Sequence, residues 1–79
     1  MKTGMLWFDN DPRADLTTKI ARAAEYYQKK YGTNPNLCFV HPSMSKNGSF
    51  RAGSIEVRLS RQVLPNHLWI GANDLSIGA

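Results

Sequence analysis

The chain has 79 residues, a formal net charge of +4, a hydrophobic fraction of 42% and a charged fraction of 20%. This composition excludes an intrinsically disordered chain, and the length excludes a second domain; we expect one small domain over 1–79, with a core over about 4–71 and a tail over 72–79. No apolar run approaches the roughly 20 residues that cross a bilayer, so we expect no membrane association.

The first predicted elements are a strand and a long helix. The strand, Met5–Phe8, has four apolar residues in a row, which is typical of a strand buried on both faces. Asp11 and Pro12 then predict a helix start, because Asp caps helix N-termini and Pro suits the first helical position. Apolar residues at spacings of three and four predict a helix over 12–31 with one buried face: Leu16, Ile20, Ala23, Tyr27 and Tyr31. Gly32 is expected to end this helix in the left-handed conformation.

Three more strands are predicted after the helix. The second strand, Leu37–Val40, is again apolar throughout, and a polar loop over 42–53 follows it. Asn47-Gly48 could instead be a hairpin turn, in which case part of the loop would extend the flanking strands. Ile55, Val57 and Leu59 alternate with polar residues, which predicts a third strand with one wet face. His67–Ile70 is the fourth strand. Because a strand, a helix and a strand form a βαβ unit, strands one and two are expected to be parallel.

These elements predict an α/β fold (α+β-like) in the order β-α-β-β-β, with one helix packed on a mixed four-stranded sheet. The third strand is expected at an edge and the first in the interior, which a spatial order of 2-1-4-3 satisfies. One helix covers only one face, yet three strands are apolar on both. The other face would expose large residues that soluble monomers rarely leave bare: Trp7 or Phe8, Phe39 and Trp69. We therefore expect a homo-oligomer or a protein partner there.

The single cysteine and the second histidine are both expected to be structural. Cys38 lies inside the apolar second strand, which favours a buried hydrophobic side chain over a nucleophile. One thiol forms no internal disulfide, which favours a reducing, cytoplasmic location. His67 projects to the same side of its strand as Trp69 and is expected to be partly buried and bonded to the backbone.

Acidic residues and a histidine follow the first two strands. In open sheets, ligands bind beyond the carboxyl ends of parallel strands, where Asp9, Asp11 and His41 are expected to lie. Asn73 and Asp74 would join them if the fourth strand were parallel as well. Such groups suit Mg²⁺, Mn²⁺ or Zn²⁺, and such a metal could activate water in a hydrolase or nuclease. The competing and favoured interpretation is that Asp11 caps the helix, Asp9 supports its dipole and His41 is a loop residue, with no cofactor.

A second stripe on the helix is basic. It is formed by Lys19, Arg22, Tyr26, Lys29 and Lys30. Its cations could contact phosphates while the tyrosine stacks on a base, and Arg51 and Arg58 add positive charge on the third strand and its loop. The competing interpretation is a solvated helix face, which Glu25 would partly neutralise by pairing with Lys29.

The sequence as a whole favours a small, non-enzymatic, cytoplasmic accessory protein that acts by binding. Self-association or a protein partner at the uncovered sheet face is its best-supported property, and nucleic acid is the second class of ligand. The alternative is a small metal-dependent hydrolase or nuclease that uses the acids at the carboxyl ends of the parallel strands.

Overall fold

The computed structural model describes residues 3–45 and 48–72, which form one helix against one face of a mixed five-stranded sheet. The elements are β1 (Thr3–Phe8), α1 (Leu16–Tyr31), β2 (Leu37–Val40), a short 3-10 turn (Pro42–Met44), β3 (Phe50–Ala52), β4 (Ile55–Leu59) and β5 (His67–Ala72). The predicted α+β fold with one helix is confirmed. The predicted number of strands is one too small, because β3 lies within residues 42–53, which were predicted to form a loop.

The additional strand, β3, pairs antiparallel with β4 through a tight hairpin. Ala52 lies opposite Ile55, so Gly53 and Ser54 form a two-residue turn. Gly53 has φ 63°, a left-handed conformation that glycine adopts without strain and that such hairpin turns require. Three residues are too few to show a period of two, which is why the sequence pattern missed this strand.

The strands lie in the order β1-β5-β2-β4-β3, with β2 and β4 parallel and the other neighbours antiparallel. The predicted order is wrong except for the contact between the first and last strands. β5 is inserted between β1 and β2 and runs antiparallel to both, so the last strand does not meet the condition under which Asn73 and Asp74 would join the acids. β5 is apolar on both faces and suits this interior position, whereas β1 is an edge strand.

The helix begins four residues later than predicted. Asp15 is the N-cap, and its side chain accepts a hydrogen bond from Thr18 N at 2.8 Å. Asp11 instead stabilises the preceding turn by accepting from Arg13 N at 2.9 Å. The predicted helix end is confirmed, since Gly32 has φ 77° and donates its N–H to Gln28 O at 2.8 Å.

The core lies between α1 and one face of the sheet. It contains Ile20, Ala23 and Tyr27 from the helix and Cys38, Val40, Ile55, Val57, Leu68 and Ile70 from the strands. Tyr31, predicted on the buried helix face, is exposed and packs on the Tyr27 ring at a centroid distance of 4.7 Å. The predicted burial of Cys38 is confirmed, and desolvation raises the pKa of its thiol to about 12.

Across residues 3–45 and 48–72, the structure contains no helix that combines the length and the apolar character needed to cross a bilayer.

Candidate binding face

Alternation along each strand assigns its side chains to the helix-covered face or to the opposite face of the sheet. The open face, as we call this opposite side, is formed by Leu6 and Phe8 of β1, His67 and Trp69 of β5, Leu37 and Phe39 of β2, Glu56 and Arg58 of β4, and Arg51 of β3. Large apolar residues in neighbouring strands therefore form a continuous surface on the side that α1 does not cover.

Two residues of β1 are the most exposed large apolar residues of the open face. Leu6 is 62% exposed and Phe8 is 56% exposed. Of the residues predicted for an uncovered face, Phe8, Phe39 and Trp69 lie there. Trp7 does not: as the neighbour of Phe8 it points to the other side, where its ring packs on Tyr26 at a centroid distance of 5.3 Å.

A groove of about 560 Å³ lies on the open face beside the loop that precedes β5. It is lined by Leu6, Phe39, Ser60, Gln62, Val63, Leu64, His67 and Trp69. Leu64 is 64% exposed and forms part of the loop wall. This volume lies within the range of about 300–1,000 Å³ that is typical of ligand pockets, and the lining combines apolar walls with a few polar groups as such pockets do.

The floor of the groove depends on a glycine in β1. A Cβ built on Gly4 would lie only 1.7 Å from Cζ2 of Trp69, so the indole ring lies directly over this residue. The same indole packs on Phe39 at a centroid distance of 6.3 Å. Because no side chain other than hydrogen fits beneath it, Gly4 determines how low the Trp69 ring lies on the sheet.

His67 is anchored by the backbone, as the sequence predicts. Its Nδ1 donates to Pro65 O at 2.9 Å, and its ring packs on Phe8 at a centroid distance of 4.9 Å. The other ring nitrogen is therefore the acceptor in the neutral tautomer. This arrangement fixes the orientation of one of the polar groups that line the groove, the others being Ser60 and Gln62.

Charged residues occupy the β3–β4 side of the open face. Arg58 lies opposite Phe39 in the sheet and forms an ion pair with Glu56, which in turn lies opposite Arg51. The open face thus changes from apolar at β1 and β5 to charged at β4 and β3.

The acidic residues after β1 form an ion-pair cluster with the helix. Nη1 of Arg22 lies 3.4 Å from Oδ2 of Asp9 and 3.2 Å from Oδ2 of Asp11. The hydrogen bond from Arg13 N, followed by that from Arg22, lowers the pKa of Asp11. The hydrogen bond to Asp11 is the main reason that the pKa of Arg22 is raised. The structure therefore brings the two predicted carboxylates together, around a guanidinium.

His41 does not belong to this cluster. Its Nδ1 accepts from Ser43 N at 3.1 Å and so caps the short turn after β2. In the described ranges, no group of three or more His, Cys, Asp or Glu residues is arranged to bind a metal ion. Asn73 and Asp74 lie outside the described residues. The strand before them is antiparallel to β1, with Ala72 opposite Thr3, so the reason for grouping them with Asp9 is lost.

Most cations of the predicted basic stripe have partners. Lys19 is only 8% exposed, Arg22 pairs with the two aspartates, and Lys29 pairs with Glu25 at 3.2 Å. Lys30 Nζ lies 5.4 Å from the centre of the Tyr31 ring, and Tyr26 packs on Trp7. Arg51 and Arg58 lie on the open face, on the other side of the sheet from α1. The predicted nucleic-acid-binding residues are therefore divided between two surfaces.

Neither Leu6 nor Leu64, the most exposed apolar residues of the groove, was predicted from the sequence. The apolar run Met5–Phe8 shows no alternation, so nothing in it distinguishes the side facing the helix from the other. Leu64 precedes Pro65 in a turn, where a single exposed leucine is unremarkable by sequence. A leucine in an otherwise polar turn, next to a strand apolar on both faces, was the only available signal.

The fold and the site define a small α+β domain with one covered and one open sheet face. Comparison with protein-family models, with curated proteins and with solved structures finds no match to this chain.

Proposed function

We propose that this protein is a non-enzymatic binding protein that docks an apolar segment of a protein partner in the groove on its open face. The observation that carries this proposal is the exposure of Leu6, Phe8 and Leu64, each more than half accessible, around a groove of about 560 Å³. An exposed apolar patch with a polar rim is typical of an interaction site. The predicted cytoplasmic location is part of this proposal.

The lining of the groove supports an apolar peptide as the occupant. Phe39, Trp69 and Val63 form walls that an aliphatic or aromatic side chain can pack against, and such anchors in pockets supply most of the energy of protein interfaces. Ser60, Gln62 and His67 lie at the same groove and offer hydrogen-bonding groups to a peptide backbone.

The test is selection of peptides from a displayed random library on the immobilised protein. We expect enriched peptides to share apolar anchor residues, and we expect Leu64→Lys to weaken their binding by about tenfold or more because it places a charge at the groove wall. Thr17→Lys is the matched control, since it adds the same charge at an exposed position on the helix. Equal binding by wild type and Leu64→Lys, or no enrichment, would contradict the proposal.

Single-stranded nucleic acid is the second candidate, favoured by one specific arrangement. Arg58 lies opposite Phe39, which lies opposite Trp69, so one row across the sheet combines a cation with two aromatic rings. Such rows can stack bases and contact phosphates. Fluorescence anisotropy with labelled single-stranded oligonucleotides tests this second candidate. If binding falls steeply with salt and is lost in Arg58→Ala and Arg51→Ala, the ligand of the open face is nucleic acid and not a peptide.

The alternative of a metal-dependent hydrolase or nuclease rests on Asp9, Asp11 and His41. The contacts of the described residues add nothing in its favour, because Arg22 already neutralises the two aspartates and Ser43 bonds the histidine. Titration with Mg²⁺, Mn²⁺ and Zn²⁺, followed by the same titration of Asp11→Asn, is the direct test of this alternative.

A further inference from the structure

The two edges of the sheet differ in how they are protected against pairing. β3 forms one edge with three residues and a charged residue, Arg51, at its centre. β1 forms the other edge with the six residues Thr3–Phe8, which include neither a charge nor a proline. Proteins commonly protect edges by short strands and charges. By these criteria the β3 edge is protected and the β1 edge is open to pairing.

The hydrogen-bonding groups on the outer edge of β1 follow from its pairing with β5. Asp9 N donates to Asn66 O at 2.9 Å, which continues the β1–β5 ladder by one residue. Hydrogen-bonded and non-hydrogen-bonded positions alternate in an antiparallel ladder. Gly4, Leu6 and Phe8 therefore direct their backbone N–H and C=O groups away from β5. The side chains of Leu6 and Phe8 are also the exposed ones of the open face.

We propose that two copies of this chain pair through the outer edges of their β1 strands, antiparallel and with Leu6 on the two-fold axis, to form one continuous sheet. In this register Leu6 lies opposite Leu6 of the second copy, and Phe8 lies opposite Gly4 in both directions. The residues of β1 with outward-directed backbone groups are Gly4, Leu6 and Phe8. Of the antiparallel two-fold registers, only this one pairs each of the three with one of the same three residues in the second copy.

The side chains at this contact favour a second copy as the occupant. The bulky Phe8 lies opposite the one residue of the strand without a side chain, beside the Trp69 indole that covers Gly4. Leu6 of each copy covers the other, and the absence of charge along Thr3–Phe8 leaves no repulsion between identical edges. The contact lies at the edge of the sheet and shares only Leu6 with the lining of the groove.

The expected dimer is weak. One strand pair with two apolar side chains from each copy is a small interface beside the roughly 800 Å² per partner of stable complexes, so we expect a dissociation constant in the micromolar range. Sedimentation equilibrium across low to high micromolar concentrations tests this directly. The mass of the wild type is expected to rise from 8.9 kDa towards twice that value.

Two charge substitutions, one at the axis and one at the loop wall of the groove, together separate the edge contact from a contact through the groove, because Leu6 belongs to both and Leu64 only to the groove. Leu6→Lys places like charges opposite each other and is expected to weaken the dimer by about tenfold or more. Leu64→Lys is the matched control, because Leu64 has a similar exposure but belongs to the loop before β5 and not to the β1 strand. It is expected to dimerise like the wild type even though it weakens peptide binding.

Mixing two variants completes the test, because the proposed axis makes residue 6 its own partner. Leu6→Lys and Leu6→Glu are each expected to be monomeric, and their mixture is expected to dimerise, which also shows that both are folded. A wild type that stays at the monomer mass, a mixture that stays monomeric, or Leu6→Lys that dimerises like the wild type would overturn the proposal. Loss of the dimer in Leu64→Lys alone would also overturn it and would place the contact in the groove.

Discussion

The covered and the open face of the sheet are built from the same strands, yet their side chains have very different environments. In β5, Leu68 and Ile70 are almost fully buried beneath α1, whereas the alternating residues His67 and Trp69 lie on the open face. In β1, Trp7 packs under the helix while Leu6 and Phe8 are mostly exposed. Apolar character alone therefore does not identify the core residues of this protein, because its strands have more apolar surface than one helix can cover.

The largest expected effect comes from truncating a residue of the covered face. Ile70→Ala removes a fully buried side chain in an interior strand and should lower the free energy of unfolding by about 2–5 kcal/mol. That is a large share of the roughly 5–15 kcal/mol that stabilise native proteins. Urea unfolding followed by circular dichroism measures it.

Leu6→Ala is the matched truncation on the open face and should cost less than about 1 kcal/mol, since the leucine is mostly exposed. Similar losses for Ile70→Ala and Leu6→Ala would show that the two faces are equally buried in solution, which would remove the basis of the binding proposal.

An intermediate effect is expected at Gly4, where the open face is closely packed. Gly4→Ala places a methyl group where the Trp69 ring lies, so the indole must move, at a cost of about 1–3 kcal/mol. The shift should also change the tryptophan fluorescence spectrum.

A double-mutant cycle isolates this contact. In a Trp69→Ala background, Gly4→Ala should lose most of its cost because the ring is no longer there. An unchanged cost in that background would mean that the backbone conformation of β1, and not the indole, requires the glycine.

The smallest expected effect concerns the start of the covering helix. Asp15→Ala removes the N-cap, whereas Asp11→Ala removes a turn contact and an exposed ion pair with Arg22, so the first should lower the midpoint of thermal unfolding more than the second. Equal effects, or a larger one from Asp11→Ala, would show that the turn and the Arg22 pair stabilise the domain at least as much as the cap.

The effect of Asp15→Ala should depend on pH in a defined direction. The hydrogen bonds from Thr18 lower the pKa of Asp15 from its ordinary value of 3.8. The stabilisation is therefore complete above that value and is lost as the pH falls through the lowered pKa of the folded state. The difference in midpoint between wild type and Asp15→Ala should be constant near neutral pH and shrink in acid.

Local patterns predicted the elements well, whereas pairing between strands was beyond them. The helix end at Gly32 and the core positions Ile20, Ala23 and Tyr27 follow from spacing and from glycine chemistry, which are properties of neighbouring residues. The insertion of β5 between β1 and β2 depends on contacts between residues 3–8 and 67–72, and no short-range pattern encodes them.

Only part of the candidate site could be predicted, because the rest depends on contacts between residues that are far apart in the sequence. Phe8, Phe39 and Trp69 were identified by counting faces, an argument that needs only the number of helices. The separation of Trp7 from Phe8 required the register with β5, and the engagement of Asp9 and Asp11 by Arg22 required the position of the helix. The helix start shifted because Asp11 and Asp15 both suit a cap, and the local sequence does not rank them.

Because Cys38 is buried, the reactivity of its thiol can be used to measure transient separation of α1 from the sheet. The thiol lies fully buried in the covered core, and a pKa near 12 keeps it protonated at neutral pH. A thiol-specific reagent in solution therefore reacts only when α1 and the sheet separate, and no introduced label is needed. The rate of this modification in the presence of a peptide, or at rising protein concentration, would report how strongly an occupant of the open face or edge holds the whole domain closed.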